Sequence, residues 1–120
     1  MPIDTDKRAK ELHSLLDKRS QNSSTTAVGN TQEQITLVGT SDKYIRKAIF
    51  EALQVHETTA ESKLGNHAEE NIIEMAEKMN LHLIEIGASR PICLDCEELL
   101  KEKGIEAKTN FSGKKSKNRQ

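Results

Sequence analysis

The sequence predicts an α/β fold, a three-layer α/β/α sandwich around a mixed sheet of four or five strands. Two β-favouring runs, Thr25-Thr26-Ala27-Val28 and Gln34-Ile35-Thr36-Leu37-Val38-Gly39, are close enough to pair as an antiparallel hairpin. Downstream, helical and strand periodicities alternate, and strands joined by crossover helices run parallel. At 120 residues the chain is one domain by length, able to bury roughly two thirds of its unfolded surface.

Each element has its own signal. Ala9, Leu12, Leu15 and Leu16 recur at helical spacing between Asp4 and Arg19, with Asp4, Thr5 and Asp6 as candidate caps. Ser20–Ser24 reads as a polar break, and Gly29-Asn30 as the end of the first strand. Ser41 or Asp42 is placed to cap a helix whose Tyr44, Ile45, Ala48, Ile49, Ala52 and Leu53 share a face. Residues 57–66 have no sustained period and read as a surface loop. Asn66 then caps a helix over His67–Met79, with Ile72, Ile73, Met75, Ala76 and Met79 inward. Leu81–Gly87 is strand-like, Cys93–Lys103 helical with Leu99 and Leu100 inward, and Gly104 stands where a C-cap belongs. Ile105-Glu106-Ala107 supplies a short last strand. The domain reading is an N-terminal helix over 1–19, the main domain over 20–111, and a basic, flexible tail over 112–120.

Composition narrows the function. Hydrophobic residues make up 34%, and the aromatics are Tyr44, Phe50 and Phe111 with no Trp, so aliphatic side chains must fill the core. No apolar run is long enough to cross a bilayer and the amino end is charged, so a soluble domain is expected. Two cysteines at C-x-x-C spacing do not make a disulfide framework, which leaves metal or redox chemistry. A net charge of -1 argues against a uniformly basic nucleic-acid binder.

Chain geometry brings His67 to the cysteine pair. A helix from His67 to Met79 climbs roughly 20 Å at ~1.5 Å per residue, and the following strand returns about the same distance at ~3.3 Å per residue. Cys93 and Cys96, three apart at a helix start, share a face. One imidazole and two thiolates suit zinc, and three protein ligands leave a position for water, as in a catalytic site. Glu69, two residues from the imidazole, is a carboxylate able to shuttle a proton. The alternatives are a thioredoxin-like redox pair, which normally follows the first strand of a βαβ unit, and a non-catalytic zinc knuckle. His13, His56 and His82 read as solvated or packing residues, although the His56 loop leads toward the site. Arg90 is a candidate for a substrate phosphate or a plain surface arginine; Thr26 and Asn30 are candidates for a sugar.

His67-Ala68-Glu69 with Pro91-Ile92-Cys93-Leu94-Asp95-Cys96 resembles the zinc nucleoside and nucleic-acid deaminases, whose signature is H-x-E…P-C-x-x-C. With Thr25–Val28, Val38-Gly39-Thr40-Ser41, His67–Ile72 and Gly87–Cys93, the wider chain is similar to deaminase domains at the carboxyl ends of bacterial polymorphic toxins. Here Ile92 separates Pro91 from Cys93, whereas the general signature has Pro directly before Cys. The resemblance implies a cytidine deaminase-like fold, His67, Cys93 and Cys96 as Zn2+ ligands, and Glu69 as proton shuttle. It also implies that the Ala68 N–H meets the base carbonyl and the Ser89 carbonyl meets the departing amine. The implied reaction converts cytosine to uracil in single-stranded nucleic acid, DNA ahead of RNA, with free nucleosides or nucleotides as the alternative substrate. The implied setting is a larger secreted toxin acting in a target-cell cytoplasm, with a cognate immunity protein and no membrane partner.

Overall fold

The computed structural model describes residues 3–115. Its five-stranded mixed sheet has the order β3-β2-β1-β4-β5, from β1 (Thr26–Thr31), β2 (Thr36–Thr40), β3 (Glu57–Thr59), β4 (Leu83–Ala88) and β5 (Glu106–Ala107). β1 is antiparallel to both neighbours, while β3 and β5 run parallel to β2 and β4. α1 (Thr5–His13), α2 (Lys18–Ser23) and α3 (Lys47–Ala52) precede α4 (Ala68–Lys78) and α5 (Leu94–Lys103) in the chain.

Strand alternation sorts the core into two layers. Val28 and Val38, directly opposite each other in register, meet Ala9, Leu12, Leu16 and Ile49 from the α1 and α3 side. Ala27, Leu37 and Ile86 point the other way, onto Ile72, Ile73 and Ala76 of α4 and Leu100 of α5. This is the expected three-layer sandwich. Among the described residues, no helix is long and apolar enough to cross a membrane.

Several local expectations are corrected. The helix expected over Asp4–Arg19 is two: Asp4 accepts from the Lys7 N–H at the start of α1, and Asp17 accepts from the Ser20 N–H to begin α2. The supposed polar break therefore lies largely in α2, and Leu15, between the helices, is exposed. β1 continues through Gly29 and Asn30 to Thr31, because a Cβ at Gly29 would lie 2.7 Å from Leu83 and 3.0 Å from Ile72. The turn falls later, with Gln34 at φ 66°. α3 is shorter than expected and leaves Tyr44 exposed; Asp42 accepts from the Arg46 side chain. His67, not Asn66, is the N-cap of α4.

Residues 57–59 form an edge strand where a loop was expected. Glu57 fixes it. Its carboxylate takes a two-point grip from Arg8 of α1, at 2.8 Å and 2.7 Å, and accepts the Gln54 N–H at 2.8 Å. The tail also departs from expectation: Ser112 donates its N–H to the Ile92 carbonyl and Lys114 accepts from the Leu94 N–H. Lys117 and Arg119 lie outside the described residues.

Two glycines set how closely α4 lies on the sheet. A Cβ on Gly39 would stand 2.8 Å from the Ala68 carbonyl oxygen and 2.9 Å from Ile72, and Gly29 makes the matching space on β1. The start of α4 thus presses on strand backbone. Gly39→Ala is expected to cost about 1–3 kcal/mol, read from the denaturant midpoint, and to weaken metal binding; a change below about 0.5 kcal/mol would contradict this packing.

Burial pushes the Glu57 carboxyl up, but Arg8 and the Gln54 N–H outweigh it and hold the group below the ordinary carboxylate value. A lowered folded-state pKa contributes stability above the unfolded value, and that contribution is lost as pH falls through the folded one. Glu57→Gln should therefore destabilise by about 3 kcal/mol near neutral pH, with the gap to the unaltered chain closing in acid below the ordinary carboxylate range. A gap independent of pH would contradict it.

Candidate metal centre

The helix–strand–helix arithmetic is realised. His67 is the N-cap of α4, β4 returns antiparallel to β1, and Cys93 is the N-cap of α5, so both N-caps lie at the same end of the sandwich. His67 Nδ1 is 3.3 Å from Cys93 Sγ and 3.3 Å from Cys96 Sγ. The three ligand atoms lie within 4.8 Å of one another, close enough to hold one metal ion. A tetrahedral zinc with ordinary Zn–N and Zn–S bonds needs an N to S separation of about 3.5 Å. The donor set and its spacing are compatible with that ion. Among the described residues no other group of histidine, cysteine and carboxylate side chains converges in this way.

Main-chain contacts hold each ligand in place. Glu70 reaches back to accept the His67 N–H at 2.7 Å, which fixes the backbone at the start of α4. Asn71, fully buried, donates to the Thr40 carbonyl at 2.9 Å and accepts from the Lys63 N–H and the Asn66 side chain. It ties the end of β2 and the incoming loop to α4. On the other side Ile92, fully buried, bonds through its backbone to Asn110 and Ser112, which pins the residue before Cys93. Pattern reading missed Asn71 as a structural node; its signal was an amide side chain among the inward positions of a helix.

Glu69 is 4% exposed and lines the same cavity as His67 and Cys93. Burial pushes its carboxyl up, the neighbouring Glu70 charge adds to this, and Arg90 opposes it. Burial also pushes the Cys96 thiol up, reinforced by Glu69 and Cys93. In both groups burial works against the negative form. The arrangement accumulates potential negative charge in a poorly solvated place, which a divalent cation would relieve.

The cavity measures about 760 Å³, within the range of small-ligand sites. Thr25, Ser41, Leu64, Asn66 and Arg90 line it beside His67, Glu69 and Cys93, and Lys114 and Lys115 form another part of its wall. No aromatic side chain is among the lining residues described.

Other expected contacts are placed differently. Thr26 is completely buried on the opposite face of β1, its hydroxyl 2.9 Å from His13 Nδ1; the cavity receives Thr25 instead. Asn30 lies at the far end of β1, donating to the Ile3 carbonyl and Glu85 and accepting from Thr36. These two are not brought to the site, because strand alternation and the longer β1 turn them away. Ala68, fully enclosed, and Ser89, whose N–H and hydroxyl pair with Thr26, are not among the residues that line the cavity; Ser89 borders a smaller neighbouring one with Arg90 and Pro91. Arg90 does line it, but its Nη2 donates to the Gln21, Asn22 and Ser24 carbonyls at the end of α2. His13 bonds Thr26 and the Gln21 carbonyl, His82 bonds Glu33, and exposed His56 lines a separate cavity with Asn30; none joins the cluster.

Comparison with protein-family models, curated proteins and solved structures finds no match to this chain. A metal held by Cys93 and Cys96 would displace thiol protons, so affinity should rise with pH between about 6 and 8. His67→Ala should lower the bound metal well below one equivalent in a chelator competition. A full equivalent in that variant, or a pH-independent affinity, would contradict the ligand set.

Proposed function

We propose that this chain is a zinc-dependent deaminase that replaces the exocyclic amine of a nucleobase with oxygen, cytosine to uracil first. One observation carries the reading: His67 and Cys93 of a His-Cys-Cys cluster line one cavity together with a buried carboxylate, Glu69. Zinc bound by His67, Cys93 and Cys96 supplies Lewis acidity that makes water a nucleophile at neutral pH. Three protein ligands leave room for that water, which a closed four-ligand structural site lacks.

Glu69 does the proton work. As the carboxylate, Glu69 can take one proton from the attacking water and give it to the ring nitrogen, then carry the remaining proton of the added hydroxyl to the amine, which leaves as ammonia as the new carbonyl forms. The net change is addition of one water and loss of one ammonia. His67 and the cysteine thiols stay committed to the metal, and Thr25, Ser41 and Asn66 supply hydrogen-bonding groups along the cavity. A target base inside a duplex is out of reach, so the substrate is single-stranded or flipped out.

The motif likeness supports reading the domain as a toxin deaminase, released from a larger secreted polypeptide, neutralised by a cognate immunity protein and acting on single-stranded DNA ahead of RNA. A second reading, deamination of free nucleosides or nucleotides, draws on the absence of aromatic side chains among the described cavity residues, since strand binders commonly stack bases on aromatic rings.

Glu69→Gln should lower deamination by roughly 10²–10⁴-fold while zinc content and melting temperature stay unchanged. Activity within a few-fold of the unaltered chain would remove Glu69 as the proton carrier, and no deamination by the zinc-loaded unaltered chain would leave a zinc-stabilised binding module. Cytidine, deoxycytidine triphosphate and a cytosine-containing oligonucleotide, assayed side by side, separate the substrate readings: conversion of the monomers alone would defeat the nucleic-acid one.

A further inference from the structure

The segment Ser112–Lys115 runs along the cavity beside Cys93, and backbone contacts hold it there. The Ser112 N–H donates to the Ile92 carbonyl at 2.8 Å, and the Lys114 carbonyl accepts the Leu94 N–H at 2.9 Å. Gly113, at φ 72°, makes the bend between them, and the Lys114 N–H closes it onto the Ser112 hydroxyl. Both residues flanking Cys93 are therefore bonded to this segment, and Lys114 and Lys115 border the cavity that His67 and Glu69 open into.

The charge there is one-sided. Arg90, Lys114 and Lys115 are the cationic lining residues, against the single carboxyl of Glu69, which is buried. Lys63, Lys101, Lys103 and Lys108 each have a carboxylate partner, whereas Lys114 and Lys115 have none among the described residues. Two unpaired ammonium groups on a concave wall, in a chain of net charge -1, concentrate a positive field at the mouth. Arg90 is largely spoken for by the end of α2. With no aromatic side chain among the described lining residues, charge is the means left to hold the part of a nucleotide beyond its base.

We propose that Ser112–Lys115 is a backbone-anchored phosphate wall, with Lys114 and Lys115 the specificity-determining residues that select phosphorylated substrates over nucleosides. The inference rests on the nucleobase reading, since the phosphate belongs to the substrate of that site. Because main-chain contacts anchor the segment, its charges can be removed without redirecting it.

The test uses the zinc-loaded full chain carrying Glu69→Gln, which limits turnover, and a fluorescein-labelled cytosine-containing single strand read by fluorescence anisotropy. Adding Lys114→Gln and Lys115→Gln should weaken binding about tenfold at 0.1 M salt and reduce the slope of log affinity on log salt by about 0.7 per lysine. Competition by deoxycytidine should not change. Arginine at both positions should restore binding. If deoxycytidine monophosphate loses as much as the oligonucleotide, the contact is to the target nucleotide's own phosphate; if only the oligonucleotide loses, it is to a flanking phosphate, and both outcomes support the wall. Equal affinity and equal salt slope with and without the lysines would overturn it, as would failure of the lysine-bearing chain to bind either phosphorylated probe. Equal binding alongside intact cytosine deamination by the Glu69-bearing chain defeats the wall alone. Lysine-dependent binding by a chain that deaminates nothing defeats the deaminase alone.

Discussion

The site depends on the close approach of α4 to the sheet, where β1 and β2 present glycine. Gly29 and Gly39 leave no side chain between Ile72 and the strand backbone, and the Ala68 carbonyl sits where a Gly39 Cβ would clash. That contact fixes the height of the first turn of α4, hence the positions of His67 and Glu69. The cysteines come to meet them on a separate support. Ile92 is locked between Asn110 and Ser112, and α5 starts at the next residue but one. Two helix starts, one tied by the Glu70 and Asn71 side chains and the other by the backbone of Ile92, are a rigid way to place three ligands.

Electrostatics explains why such a site is poised for a cation. Cys96 and Glu69 are almost out of solvent, and Glu69 adds to the burial that disfavours the Cys96 thiolate. Metal loading would set a dication against two thiolates, while Arg90 and the two tail lysines line the cavity. The interior suits a metal and a proton shuttle; the mouth suits an anion.

Much of this was legible in the sequence. The separation of His67 from the cysteines equals one helix and one strand, and the rises of those elements bring the ends together whatever the details between. The order of layers followed from the hairpin and the helix–strand alternation. Other features depended on contacts that no local pattern encodes. β3 exists because Arg8, 49 residues away, grips Glu57. Gly29-Asn30 resembles a turn, but in the folded chain glycine makes room for Leu83 and Ile72, and Asn30 is satisfied by Ile3, Glu85 and Thr36. Thr25 and Thr26 differ by one strand position, and β-alternation puts Thr25 in the cavity and Thr26 against α1. The tail looked like a solvated cationic end, yet its first residues complete the hydrogen bonding around Cys93.

The most direct test of the open three-ligand centre is X-ray absorption at the zinc edge of the metal-loaded full chain. The geometry predicts two sulfur scatterers at about 2.3 Å and two lighter ones near 2.0 Å, an imidazole nitrogen and a solvent oxygen. A shell of four protein ligands, or one without sulfur, would contradict it.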